Sequence, residues 1–449
     1  MNRNRRSQVW AGWTLATSVV VAVAACSSQL DVKTPDIISP GAVNNADGAI
    51  AAYNGAIGDF AFANDGDNGG TEGQILVSGV MTDEYTDVET FPTRIEYDSR
   101  AIDERNGTLT AVFFNLQKAR VALEGSASAL QQYAPTPTAR VGEMLALSGF
   151  TYVYFAENYC SAVPFSQRQP DGSILYGAPL STTQILDRAI SRFDSAVGVT
   201  TDPTIRNLAS VGKGRALLDK ADFPGAAAAV AAVPPFGYFT AHSTSSNRQW
   251  NGVFVFNNQA PAGTARFGVA DVEGTNGLNF RSALDPRVVT VKNGKGFDNT
   301  SDLWVLGKYT SATSPVAVAT WVEAQLIAAE AQLQGGNGAG MVTSLNTLRA
   351  DATDNGGFTT LAPLADPGTQ VGRENLLFRE RAFWLFATGH RLGDLRRLAR
   401  PPYNRAVNTI YPIGAYVHAS TVYGNNTELP VPFDERNNPN YTGCDYTTP

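Results

Sequence analysis

The segments VAVATWVEAQLIAAEAQL (316–333) and MVTSLNTLRA (341–350), split by QGGNGAG, constrain this chain more than any other feature. Apolar residues recur at helical spacing on both sides, and the glycines between them break the pattern. Such a unit is two helices folded back on each other. It cannot bury its apolar faces alone, so it demands neighbours of the same kind. The chain supplies them. In NNADGAIAAYNGAIGDF, Ile50, Tyr53, Ile57 and Phe60 fall on one helical face. Leu109, Val112, Phe113, Leu116 and Leu123 mark another amphipathic helix. ARVGEMLALSGFTYVYFAENYC is apolar on most sides and predicts a buried helix. TTQILDRAISRFDSAV and TIRNLASVGKGRALLDKADFPGAAAAVAAV continue the series, the second with its own turn at KADFPG and an Ala-rich helix suited to close packing.

These hairpins look like tetratricopeptide repeats, although the full repeat signature is absent. The expected fold class is mainly α, with helices over about 43–233 and 316–399. Between them, about 234–315 is rich in Gly, Asn, Ser and Thr and predicts a loop-rich insertion. GVFVFNN and RVVTVKNG carry the β-branched and aromatic content of short strands there. The stretch from Pro401 is again irregular. NDGDNGG reads as a flexible turn, because its glycine and acids are out of register for a calcium loop.

The N-terminus sets the compartment. Arg3, Arg5 and Arg6 precede an uncharged run from Trp10 to Ala25. A spanning helix needs roughly 20 mostly apolar residues, so this shorter run, broken by Thr14, Thr17 and Ser18, reads as an export signal over 1–25. Val23-Ala24-Ala25-Cys26 resembles a bacterial lipobox. That resemblance implies cleavage before Cys26, a lipid on its sulfur, and a tether over 26–42. The signal carries three arginines and no acid, leaving 31 basic against 41 acidic residues, a net charge of about −10. An acidic surface argues against nucleic-acid binding through a basic face. With Cys26 lipidated, Cys160 and Cys444 remain as an even pair, expected to form a disulfide.

Four separated segments carry a family resemblance: Cys26 with LDVKTPD and the ADGAIAAYNGAI helix; LDPRVV (Leu284–Val289); AQLIAAEAQLQGG with LNTLR; and RERAFWLFATGHRLGDLRRL trailed by LPVPFDERNNPNY. Together they resemble the SusD/RagB family of outer-membrane nutrient-binding lipoproteins. The resemblance implies a single SusD-like domain over 43–449, lipid-anchored at the cell outer membrane and facing outward. It implies a SusC-like TonB-dependent barrel transporter as partner, and an oligosaccharide or peptide as ligand, captured without chemistry on it. GHRLGDLRR is expected to form a salt-bridge and capping network. Trp384 and Thr388 stand where the family usually has glutamates.

Enzyme motifs are lacking. The three histidines, His242, His390 and His418, allow no HExxH helix, and there is no G-x-S-x-G elbow or GK[ST] loop. No cofactor and no metal are expected. Two rival readings remain: a periplasmic lipid-anchored helical scaffold, and a secreted helical glycosidase, since 41 acids offer many carboxylate pairs. Trp321 and Trp384 lie among apolar helical neighbours and read as core. Trp250 and Trp304 fall in the insertion, flanked by polar residues such as Asn251 and followed by Tyr309. They either stack on a sugar's C–H face or fill a small core under the loops. Tyr85, Phe91 and Arg94 are further ligand candidates by position.

Overall fold

The helical hairpins form, and several of the helices start at a capping side chain. The computed structural model describes residues 44–169, 171–258, 265–351 and 361–449; the export signal, Cys26 and the tether expected over 1–42 lie outside the described residues. Helix α1 (Ala46–Asp65) starts where the Asn45 side chain accepts from Gly48 N. It is followed by α2 (Gln74–Val80), β1 (Tyr85–Asp87) and α3 (Pro92–Asp98). The long pair α4 (Gly107–Tyr133) and α5 (Thr138–Asn158) turns through four residues, and α1 packs on α4. Nearly every residue of α5 from Val141 onward is buried, as its apolar composition requires.

Short strand pairs β2 (Val163–Pro164) with β5 (Pro179–Leu180), and β3 (Gln167–Arg168) with β4 (Ile174–Leu175), lead to α6 (Thr182–Val199). A reciprocal capping box opens α6: Gln184 N donates to Ser181 Oγ, and Ser181 N donates to Gln184 Oε1. Asp202 caps α7 (Pro203–Asp219), with proline at its first position. Helix α8 (Phe223–Val230) follows the KADFPG turn. Where α5, α6 and α7 cross, Gly149 and Gly212 leave room for one ring. A Cβ on either would lie 2.5 Å or 2.4 Å from Phe193.

The insertion contains β6 (Gly237–Thr240), β7 (Phe267–Val269), β8 (Thr290–Lys295) and β9 (Asp302–Leu306); VAVAT, expected to open a helix at 316, is instead β10 (Val316–Thr320), whose pairing with β6 holds it extended until Thr320 caps the helix. These strands pair antiparallel: β1 with β7, β6 with β10, β8 with β9. RVVTVKNG supplies β8, as expected. GVFVFNN does not form a strand; it is α9 (Gly252–Asn258). The Asn251 side chain accepts from Phe254 N and caps it, and burial of Val253, Val255 and Phe256 outweighs their β preference. NDGDNGG is a tight turn in which Asp67 Oδ1 accepts from Gly69 N and Thr71 N.

The second helical block is α10 (Trp321–Gln334), α11 (Gly338–Ala350), α12 (Gln370–Trp384) and α13 (Arg391–Ala399). Its last turn and α13 carry the expected charge network. Arg381 clasps Asp394 with two bonds, at 2.9 and 2.8 Å. Arg397 reaches Asp394, Glu330 and Asp219. Arg391 holds Asp83 with two bonds, at 2.6 and 2.9 Å. The arginines hold Asp394 well below the usual carboxylate range despite its burial. Thr388 takes the place in this network that its small side chain permits, with Oγ1 2.8 Å from His390 Nδ1. Beyond Pro401 the chain is irregular, and Cys160 and Cys444 are joined by a disulfide with Cα atoms 5.9 Å apart. Among the described residues no helix is long and apolar enough to cross a membrane.

Candidate ligand platform

The β1–β7 pairing that holds the insertion against the β1 segment continues into Val88. Val88 N donates to the Arg266 carbonyl at 2.9 Å, and Asp298 N donates to the Val88 carbonyl at 3.0 Å. Gly296 permits this approach, because a Cβ there would lie 2.4 Å from Val88 Cβ. Val88 packs with Ala265, Leu303 and Val305 in a small core of its own. This clamp joins the two segments that carry the exposed rings of Phe91, 55 % exposed, and Phe297, 39 % exposed.

Each ring is braced by an arginine. The Arg94 guanidinium lies 5.2 Å from the Phe91 centroid, and that of Arg266 lies 3.8 Å from the Phe297 centroid. Both arginines share Glu89. Arg94 Nη1 is 2.8 Å from Glu89 Oε1, and Arg266 Nη1 is 3.6 Å from Glu89 Oε2. Arg94 also pairs with Glu72 and donates to the Gly70 carbonyl at 3.2 Å. Burial pushes the Glu89 carboxyl up, against the pull of Arg94 and Arg266. On the other flank His418 bridges the two segments, Nε2 to Thr86 Oγ1 at 2.8 Å and Nδ1 to Ser301 Oγ at 3.1 Å. Burial holds its imidazole below the ordinary value, which favours the neutral ring. Asp298 Oδ1 accepts from Thr300 N and Ser301 N, fixing the loop that carries Phe297.

Flat apolar faces beside fixed hydrogen-bonding groups suit a sugar ring, whose C–H face packs on an aromatic while its hydroxyls find donors and acceptors. Among the described residues no cluster of His, Cys, Asp and Glu has the arrangement of a metal site.

Of the ligand candidates drawn from the sequence, Phe91 and Arg94 meet at the platform and the others are not brought to it. Tyr85 is fully buried in β1 against Phe386, and Tyr309 is buried with its hydroxyl donating to the Ala387 carbonyl. Asn251 is fully buried as the cap of α9, and its Nδ2 donates to the Ser314 carbonyl. These three side chains serve packing and capping, because a group withdrawn from the surface cannot meet a surface ligand. Arg94 is also mostly buried, and it acts beneath the platform as the brace of Phe91. Trp250 and Trp304 are half-buried and pack against the main core. Strand alternation puts Trp304 on the face of β9 opposite Leu303 and Val305, with the Arg281 guanidinium 4.6 Å from its ring. Phe297 and Arg266 escaped the sequence reading. The signal was present in KGFDNT, a lone aromatic set between turn residues.

No family model matches the chain, and no curated protein matches it in sequence. Solved structures do. A SusD superfamily protein from Bacteroides vulgatus superposes with a TM-score of 0.63 at 16 % identity, covering 90 % of this chain and 99 % of its own. A laminarin-binding SusD-like protein gives 0.64 at 15 %, covering 89 % and 99 %. A SusD-like carbohydrate-binding protein from Bacteroides fragilis gives 0.66 at 14 %, also covering 89 % and 99 %. At such identities the likeness establishes the fold, and that fold is the one shared by the SusD superfamily.

Proposed function

We propose that this chain, which has the SusD fold, is a surface lipoprotein that captures oligosaccharides on the Phe91–Phe297 platform and delivers them to a TonB-dependent barrel transporter. The observation that carries the reading is the Glu89-centred brace: a buried carboxylate shared by two arginines, each lying against one exposed aromatic ring. Rings held in this way offer a rigid stacking surface, so little side-chain entropy is lost on binding. The carbohydrate-binding and laminarin-binding descriptions of the superposable structures support a sugar as the ligand. The lipobox-like Val23–Cys26 supports anchorage through Cys26. Capture needs no cofactor.

Affinity electrophoresis against a panel of polysaccharides that includes laminarin, with a peptide digest assayed by calorimetry, tests the ligand class. Retardation by at least one glycan, lost in the Phe91→Ala/Phe297→Ala double variant, is expected. Binding of peptides alone would overturn the sugar reading. Protease shaving of intact cells tests the outward orientation, which protection from the protease would exclude. Purification in mild detergent should bring a barrel partner with the lipoprotein.

A further inference from the structure

A cleft of about 650 Å³ lies away from the aromatic platform, between β6, β10, the start of α10 and the end of α12. Its walls include the rings of Phe236, Phe239, Trp321 and Trp384, and Lys308 enters it from the chain after β9. The lysine stem is exposed there, while Nζ turns inward and donates to the Phe386 carbonyl at 2.7 Å. The other described lysines all have a carboxylate within ion-pair distance: Lys118 has Asp59, Lys213 has Asp194, Lys220 has Asp187, and Lys292 and Lys295 share Asp302. Lys308 alone among them has none.

The turn that receives Lys308 also receives a carboxyl and a phenol. Ala387, in the left-handed region at φ 58°, donates its N–H to Glu84 Oε1 at 3.2 Å and accepts from Tyr309 OH at 2.9 Å through its carbonyl. Glu84 Oε2 is buried with no hydrogen-bond partner. The surrounding charges are spoken for: Asp83 by Arg391, Arg287 by Asp285 and Glu380, and Glu323 sits 3.0 Å from His390. Burial lowers the Lys308 amine to about 8, opposed by Glu84, and burial raises the Glu84 carboxyl to about 8. An amine poised near neutral pH thus enters an aromatic-walled cleft, and a protonated carboxyl lies buried against the same turn. Desolvated lysines of this type act as carbonyl nucleophiles.

We propose that the cleft captures aldehydes bearing an aromatic or apolar body as a reversible imine on Lys308. The neutral amine attacks the carbonyl carbon, forming a C–N bond and a carbinolamine. The departing hydroxyl takes a proton from solvent in the open cleft. Water leaves, the C=N bond forms, and the proton lost from nitrogen returns to solvent. No oxidant or reductant is required, and hydrolysis reverses each step. The aromatic walls select the body of the aldehyde, and the site is independent of the sugar platform.

The test is reductive trapping. The full folded chain is incubated at pH 7 with benzaldehyde and sodium cyanoborohydride, then digested and mapped by mass spectrometry. Lys308 should be alkylated on the order of tenfold faster than any other lysine, because a far larger fraction of it is neutral at that pH. Lys308→Arg should abolish the fast adduct and leave the slow ones. Trp321→Ala, with Lys308 intact, should slow benzaldehyde trapping while leaving formaldehyde trapping unchanged. Equal labelling of all lysines, or an unlabelled Lys308 in natively folded wild-type protein, would overturn the proposal. So would equal trapping of both aldehydes in wild type and Trp321→Ala.

Discussion

Glu89 accepts from Arg94 at 2.8 Å, and that one carboxylate, 4 % exposed, also faces Arg266 from its other oxygen. A buried acid thus sets the position of both exposed rings of the platform. Glu89→Gln keeps the shape but weakens both braces. It should lower glycan affinity while Phe91 and Phe297 are still present.

Truncating an aromatic anchor at a binding surface typically costs more than about 1 kcal/mol, and about 1.4 kcal/mol is tenfold in affinity. Phe91→Ala and Phe297→Ala should each weaken binding roughly tenfold, with thermal melting unchanged, as read by calorimetry and differential scanning. Trp304→Ala should behave in the opposite way. Its ring packs on the main core, so melting should fall by several degrees with affinity retained.

Gly212→Ala places a methyl 2.4 Å from Phe193 and 2.9 Å from Phe150. Overpacking of this kind costs about 1–3 kcal/mol. Urea denaturation should show the loss, and Phe193→Leu in the same chain should restore part of it. An undiminished midpoint in Gly212→Ala would mean that the helices separate freely at that crossing.

The Asp394 network makes a pH prediction. The folded pKa of Asp394 is depressed by Arg381 and Arg397, so its contribution is present above the unfolded value of about 3.9 and is lost as pH falls through the folded one. Asp394→Asn removes a buried carboxylate from Arg381 and Arg397, which keep Glu330 and Asp219 as partners; breaking a buried pair costs up to about 3–5 kcal/mol. The variant should lose stability at pH 7 and show a shallower acid transition than wild type.

Asp87, Asp98 and Glu273 behave with the reverse sign. Burial raises the pKa of each carboxyl, and their mutual repulsion adds to it for Asp87 and Glu273. Tyr416 donates to Asp98 at 2.6 Å and Tyr423 to Glu273 at 2.8 Å. The folded chain therefore holds more protons here than the unfolded one. Its stability should fall as pH rises from the ordinary carboxylate value of about 4 through neutrality. Asp98→Asn removes one of these ionisations and should flatten that slope in denaturation curves measured from pH 5 to 9.

The Cys160–Cys444 bridge ties residues 284 apart in sequence and pins the tail to the end of α5. Losing such a bridge costs about 2–5 kcal/mol. Cys444→Ser should lower the denaturation midpoint and expose the tail to proteolysis, while leaving glycan binding intact.

Helical spacing alone marked α1, α4, α5, α6, α7, α10 and α11, because an amphipathic stripe is a local property of sequence. It misread GVFVFNN, where the Asn251 cap and burial on several sides prevail over β preference. It recognised GHRLGDLRR as a charge network, since arginines and an aspartate that close together must be neutralised wherever they are buried. It could not name the partners Glu330, Asp219 and Asp83, which lie on other helices and loops. The site was least legible. Tyr85, Asn251 and Tyr309 have side chains suited to a ligand, yet all three are buried.

The sequence by itself determined a helical-hairpin body and a loop-rich insertion, because periodicity and turn residues are read along the chain. Only the tertiary structure decided which aromatics face water. Phe91 and Phe297 are separated by 206 positions, and their segments are joined because Val88 bonds to Arg266 on one side and to Asp298 on the other. Exposure and proximity of that kind are set by contacts between distant segments, which no local pattern encodes.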